Sequence, residues 1–226
     1  MTEAQINQEQ EWEIDNLPNR LTIFRILLVP VVIGALFLCS LKGEWIEKYH
    51  NLFGYIAAWT FVGASITDFF DGYIARKRGI VTVFGSFLDP IADKFLVVSS
   101  LILLDALGRV HPIIVVILVL REMYITSLRL LAKERGFNVP VGKFGKWKTA
   151  TQMLAIPFLM AYDYPFGIPM PLIGTTLIVL ASIFSLYSAL EYSTGLLKKF
   201  KAHRKEKKRI KNEGPSLNED DLQIKE

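Results

Sequence analysis

Long apolar segments alternate with short polar ones along this chain. Pro18 and Asn19 mark a turn, and an apolar helix of about 20 residues follows, the length needed to cross a bilayer. Residues 42 to 50 read as a polar loop. A second apolar helix is predicted over 51 to 76, closed by Lys77, Arg78 and Gly79, a basic end followed by a turn residue. A third is expected from Phe84 to Leu107, with Pro90 in its early part, where a kink or loosened turn is predicted. His111 and Pro112 open a fourth, which ends near Gly136. Residues 137 to 147 form a basic, glycine-containing loop. A fifth helix covers 148 to 162, and a Pro- and Gly-rich turn leads to a sixth over 170 to 197. There is no internal repeat. The pattern predicts an all-α integral membrane protein with six transmembrane helices. A polar lead-in (1–15) precedes the six-helix membrane domain (16–197), and a charged tail (198–226) follows it.

The alternative is a soluble helical bundle. Soluble bundles need a charged face on every helix, and residues 23 to 38 offer one charge, Arg25. The loop charges orient the spans. Arg76, Lys77, Arg78, Lys133, Arg135, Lys143, Lys146, Lys148 and the tail fall on one side. Lys42, Lys48 and Arg109 fall on the other, diluted by Glu44, Glu47 and Asp163. An excess of Lys and Arg marks the cytoplasmic side, so both termini are expected there. Trp45, Tyr49, Tyr162 and Tyr164 suit interfacial belts.

Composition agrees. Of 226 residues, 51% are hydrophobic, and the mean hydropathy is positive. The one cysteine, Cys39, permits neither an internal disulfide nor a cysteine zinc site, and the three histidines form no credible metal cluster. The net charge of +4 hides an acidic start and a stretch, 198 to 211, with nine Lys and Arg against one Glu. Just after a membrane helix, such a segment suits anionic lipid headgroups, and no nucleic-acid partner is expected. The start lacks the basic, apolar pattern of a cleaved signal and the Arg-rich pattern of a transit peptide.

Four carboxylates stand out against the apolar background. A turn of about 100° per residue puts Asp68, Asp71, Gly72 and Ala75 on one face of the second helix. Asp89 and Asp93 are i and i+4 on the third, with Gly85 one turn earlier. The short connection makes the two helices antiparallel neighbours, so the carboxylates can converge. Unpaired, they would repel and some would protonate. Divalent cations reverse that cost, and Mg²⁺ and Mn²⁺ favour carboxylate oxygens together with substrate phosphates. Gly72, Ala75 and Gly85 leave room for a large ligand, and Arg76 supplies a planar fork suited to phosphate. Helix capping, or pairing with Arg76 and Lys94, would explain one such pair but not four carboxylates on matched faces beside glycines.

Asp68-x-x-Asp71-Gly72-x-x-Ala75-Arg76, then eight residues, then Gly85-x-x-x-Asp89-x-x-x-Asp93, resembles the signature of the CDP-alcohol phosphotransferases at every motif position. The resemblance implies that family's six-helix fold, a homodimer, and a site with two Mg²⁺ or Mn²⁺ ions held by Asp68, Asp71, Asp89 and Asp93. Asp68 and Asp89 would bridge both ions. It implies a CDP-lipid donor, CDP-diacylglycerol, contacted by Gly72, Arg76 and Thr82, with Ala75 and Gly85 giving it space. It implies attack by an alcohol hydroxyl on the β-phosphorus with loss of CMP, Asp93 being the general base. Bound cations would neutralise the phosphate oxygens and the developing charge on the leaving group.

The signature leaves the acceptor open. Asn16 through Thr22 with Arg25, Arg121-Glu122 through Arg129, Gly145 through Thr149 with Gln152-Met153, and Leu186 through Tyr192 resemble the branch of the family that uses glycerol 3-phosphate. That small dianion needs cations. Arg121, about 80° around the fourth helix from Arg129, suggests a ligand or a water-filled cavity, with an internal salt bridge to Glu122 as the alternative. Lys143, Lys146 and Lys148 lie at the cytoplasmic mouth, either to bind the acceptor phosphate or to anchor the protein. Asn19, Thr22 and Arg25 are candidates for the donor entrance, although Arg25 could instead snorkel to the interface. The expectation is a phospholipid-synthesising enzyme of a bacterial inner membrane, its site open to the cytoplasm, making phosphatidylglycerol phosphate. Inositol phosphate, serine and phosphatidylglycerol remain alternative acceptors. A divalent-metal transporter is the alternative of another class; the lack of a repeated motif and the phosphate-suited Arg76 speak against it.

Overall fold

The structure, a computed structural model, describes the backbone of residues 17–78, 83–134 and 142–212. Within these, the side chains of 17–21, 68–90, Asp93 and a few further positions are outside the description. Among the described residues all regular structure is helical: α1 (Leu17–Ser40), α2 (Glu44–Arg78), α3 (Val83–Ala106), α4 (Pro112–Glu134), α5 (Lys143–Ala161), a 3-10 turn (Pro165–Gly167) and α6 (Met170–Asn212). The kink expected at Pro90 lies outside the described residues.

The apolar periodicity located every helix but missed several ends. Pro18 is inside the first turn of α1 rather than before it, where its missing N–H costs no hydrogen bond. The expected loop at 42–50 is mostly helix, since α2 begins at Glu44 with Glu44 and Glu47 in its first turn, where negative side chains complement the helix dipole. α5 begins at Lys143 rather than 148 and stops at Tyr162, a left-handed residue with φ 47° whose N–H donates to the Phe158 carbonyl. α6 continues through the basic segment to Asn212. Lys, Arg and Glu are good helix formers, so loss of hydrophobicity did not end the helix.

α1 packs against both α2 and α3, α5 against α2 and α6, and α4 against α6. The core joins Val32 and Leu36 of α1, Phe61 of α2, Leu101 and Leu104 of α3, Leu118 of α4, Ile156 and Leu159 of α5 and Ile178 of α6. Small residues bring backbones together. A Cβ on Gly54 would lie 2.6 Å from the Met160 carbonyl oxygen, and one on Gly174 would meet Leu159 Cγ at 2.7 Å.

Large apolar side chains also cover the outside of the bundle. Leu27, Trp59, Phe95, Leu120, Leu154 and Leu190, one from each helix, are all exposed. Among the described residues two helices, Thr22–Ser40 and the Met170–Ala202 part of α6, are long and apolar enough by composition to cross a membrane. The others carry more polar residues; α4 is interrupted by Arg121, Glu122 and Arg129.

Candidate active site

Polar side chains collect at both ends of the bundle. The last turn of α1, the start of α2, the α3–α4 connection and the end of α5 meet at one end. There Arg109 is buried. Its Nη1 donates to the Leu159 carbonyl at 3.0 Å and also to that of Met160, its Nη2 contacts His50 Nε2 at 2.8 Å, and its guanidinium lies 4.8 Å from the Tyr162 ring centroid. A cation on the last carbonyls of α5 satisfies acceptors the helix itself leaves open. Tyr55 Oη donates to Asp163 Oδ2 at 3.0 Å beside it. Burial and the neighbouring Arg109 charge hold the His50 imidazole below its ordinary pKa. Tyr162 is thus more than the interfacial residue expected of it.

The opposite end is built differently. The motif residues fall where the periodicity put them: Asp68, Asp71, Gly72, Ala75 and Arg76 on the last third of α2, and Gly85, Asp89 and Asp93 on the first half of α3. The backbone keeps the i, i+3 and i, i+4 spacings on continuous helices. The convergence of these side chains lies outside the described residues, as do Thr82, the 79–82 connection and the side chain of Asn19.

A cavity of about 470 Å³ opens between α3, α4 and α5, and its described lining includes Lys94, the residue after Asp93. Its polar lining is Lys94, Glu122, Thr126, Arg129, Lys148 and Gln152; Leu101 and Leu118 form part of its apolar wall. Lys94 Nζ donates to Thr126 Oγ1 at 2.7 Å. Lys148 Nζ reaches Glu122 Oε2 at 2.7 Å, and Arg121 Nη1 reaches the same oxygen at 3.3 Å. Arg121 Nη2 donates to Ser188 Oγ at 2.8 Å, which ties α4 to α6. Arg129 stands 5.9 Å from the Tyr192 ring centroid.

Among the described lining residues, Lys94, Arg129 and Lys148 outnumber Glu122, a formal excess of two positive charges. Low-dielectric walls focus such a field on an entering anion. Two buried atoms here lack partners, Arg121 Nε and Gln152 Oε1, and Ser185 Oγ on α6 is a third such atom.

The sequence-level candidates therefore divide. Lys148 and Arg129 line the cavity, whereas Lys143 and Lys146 are exposed on the first turn of α5. Arg121 makes the internal salt bridge to Glu122 held open as its alternative, directly beside the cavity. Thr22 and Arg25 are buried. Arg25, at 0% exposure, lies inside the bundle rather than reaching out to the interface.

The sequence profile of the family described as CDP-alcohol phosphatidyltransferase matches residues 15–187. The chain belongs to the CDP-alcohol phosphatidyltransferase family. It is 36% identical over 186 residues to a Rickettsia felis protein named CDP-diacylglycerol–glycerol-3-phosphate 3-phosphatidyltransferase, covering 82% of this chain and 97% of that one. A Bacillus subtilis protein of the same name is 36% identical over 183 residues, 78% of this chain and 93% of its own length. A Mycobacterium tuberculosis protein named as a probable phosphatidylglycerophosphate synthase is 36% identical over 180 residues, covering 79% and 80%.

Membership makes this chain a phosphatidyltransferase, and the cavity shows what the family signature leaves unmentioned. Sequence reasoning gave no site role to Lys94, Glu122, Thr126 or Gln152. Their signal was present: Lys94 adjoins Asp93, and Glu122 adjoins Arg121, both inside apolar segments. Charged residues at such positions have partners across helices, but which helices is a packing question that periodicity does not answer.

Proposed function

We propose that this CDP-alcohol phosphatidyltransferase moves the phosphatidyl group of CDP-diacylglycerol onto glycerol 3-phosphate, giving phosphatidylglycerol phosphate and CMP. The observation that carries the reading is the set of three cations, Lys94, Arg129 and Lys148, in the described lining of the cavity, with Lys94 next to Asp93 in the chain. Its charge suits an acceptor with a phosphate monoester dianion; serine has no phosphate, and the phosphodiester of phosphatidylglycerol carries a single charge. The names of the bacterial relatives favour the same acceptor over inositol phosphate.

Donor and acceptor enter from the same end. Gly72, Ala75 and Gly85 leave room beside the helices for the CDP group, and Arg76 pairs with its phosphates. Thr82, Asn19, Thr22 and Arg25 belong to the donor side. The carboxylates of Asp68, Asp71, Asp89 and Asp93, at helical spacing on α2 and α3, form an oxygen donor set fit for two Mg²⁺ or Mn²⁺ ions. When bound, these supply charge neutralisation at the diphosphate. Lys148 and Arg129 hold the acceptor phosphate, with Arg121 bracing Glu122 behind them; Lys143 and Lys146 draw anions to the mouth. Asp93 takes the proton as the acceptor hydroxyl forms its bond to the β-phosphorus and the bond to CMP breaks. Its value as a base comes mainly from position.

The exposed apolar residues on all six helices support six spans with lipid-facing outsides. At 1.5 Å per residue α6 is about 64 Å long, twice the thickness of a hydrocarbon core, so its basic end stands in the cytoplasm against anionic headgroups. We place the protein in a bacterial inner membrane as a multi-pass homodimer, termini and site facing the cytoplasm. The purified protein should release CMP from CDP-diacylglycerol with Mg²⁺ and glycerol 3-phosphate. No CMP with any alcohol would sink the enzyme reading, and product only with inositol phosphate would sink the acceptor.

A further inference from the structure

The cavity contains a polar group that phosphate recognition does not use. Gln152 is 4% exposed, lines the cavity, and its Oε1 has no hydrogen-bond partner. Leaving a buried amide oxygen unpaired costs stability, and such atoms in native proteins call for an explanation. Among the described residues none supplies one: Lys148 is drawn to Glu122, Lys94 donates to Thr126, and neither reaches the Gln152 oxygen. Met153 and Leu118, beside it in the lining, carry no N–H or O–H on their side chains.

Position gives the missing partner a chemical class. Gln152 is four residues after Lys148 on α5, so both side chains point to the same side about 6 Å apart along the axis. A ligand anion held by Lys148 and Arg129 therefore places its next few atoms beside the Gln152 carboxamide. A hydroxyl two or three bonds beyond a phosphate ester meets that need, and an alkyl carbon does not.

We propose that Gln152 is a specificity-determining residue that accepts a hydrogen bond from the non-reacting secondary hydroxyl of a polyol phosphate. The site then reads three features of its acceptor: the phosphate by Lys148 and Arg129, the attacking primary hydroxyl near Asp93, and the middle hydroxyl by Gln152. This rests on the acceptor reading above. It adds that an acceptor with the phosphate and the primary hydroxyl alone is a poor one, because it fills the cavity and leaves Gln152 unpaired.

The test uses the full chain in detergent with CDP-diacylglycerol and Mg²⁺. Two acceptors are compared: glycerol 3-phosphate and 3-hydroxypropyl phosphate, which lacks only the secondary hydroxyl. The unaltered protein should favour glycerol 3-phosphate by roughly 10-fold or more in kcat/KM. Gln152→Leu should cut that ratio to within about 2-fold of unity, chiefly by slowing glycerol 3-phosphate. Gln152→Glu keeps an accepting oxygen and should keep the preference despite a higher KM for both. The ratio is taken within each variant, so a smaller folded fraction cancels. An unaltered protein active on glycerol 3-phosphate but indifferent to the hydroxyl overturns the inference. So does a Gln152→Leu variant with its preference intact. Absence of CMP release with glycerol 3-phosphate brings down the acceptor reading, and the inference with it.

Discussion

Arg109 and Arg121 are both buried, at 7% and 8% exposure, in opposite ends of one helix bundle. Arg109 spends its guanidinium on two helix-terminal carbonyls, a histidine and an aromatic face. Arg121 shares one carboxylate oxygen with Lys148, holds Ser188, and keeps a bare Nε. Around Arg109 the backbones touch, as Gly54 does with Met160. Beside Arg121 a cavity of about 470 Å³ stays open, with three cations to one carboxylate among its described lining residues. Burial of a cation is thus no guide to its role. A cation held by carbonyls, a histidine and an aromatic face ties helices together, while a cluster with unpaired buried atoms beside an open cavity is arranged for something that arrives later.

The largest contrast is expected from Asp93→Asn. It should lower turnover by about 10³-fold and leave the melting temperature in detergent within a few degrees. Retained turnover would remove Asp93 from its role as base. Arg109→Met should do the reverse. It leaves the Leu159 and Met160 carbonyls without their donor, a loss of about 3 kcal/mol, read as a lower melting temperature with an unchanged KM for glycerol 3-phosphate in the folded fraction. Were Arg109→Met to raise that KM selectively with no loss of stability, the division between the two ends would fail. Lys148→Met comes next, with KM for glycerol 3-phosphate raised about 10-fold, as expected for one lost charge-assisted hydrogen bond. Lys146→Met, on an exposed side chain, should change it by less than about 2-fold at physiological salt. Equal effects from the two lysines would mean that the cavity is not where the acceptor phosphate sits.

The difference between the ends also explains what could be read from the sequence. Placement that depends on spacing along one helix was legible: the Asp68–Asp71 and Asp89–Asp93 pairs fall on continuous α2 and α3 as the periodicity required. Residues that act across helices were not. Arg109 looked like a loop charge and Tyr162 like a belt residue, because their contacts to His50 and to the end of α5 depend on how three segments meet. Lys143, Lys146 and Lys148 looked equivalent along the chain. A helix starting at Lys143 puts Lys148 on the inner face and leaves the other two outside, since five residues of helical twist separate Lys143 from Lys148. The polar 42–50 segment misled for a related reason. Polarity marks exposure, and an exposed segment at a membrane surface can be helical when acidic residues open it, as Glu44 and Glu47 do.

The smallest expected effect is one of acidity, and it belongs to the Arg109 end alone. Burial, and then the Arg109 charge, lower the His50 pKa, with Glu47 opposing them. In the unfolded chain an imidazole titrates near its ordinary value of about 6.5. As pH falls through that value, the unfolded state takes up a proton that the folded state still refuses. Stability therefore falls with acidification, starting below about pH 6.5, and levels off once the folded-state pKa has also been passed. Above about pH 7.5 both states are neutral and the histidine contributes no pH dependence. His50→Gln keeps a polar group able to contact Arg109 Nη2 and cannot gain the charge. Its melting temperature should drop less than that of the unaltered protein between pH 7.5 and 5.5, with the two curves parallel above pH 7.5. An equal drop in both would show that His50 and Arg109 do not sense one another, and that this end is held by the Leu159 and Met160 carbonyls without help from the histidine.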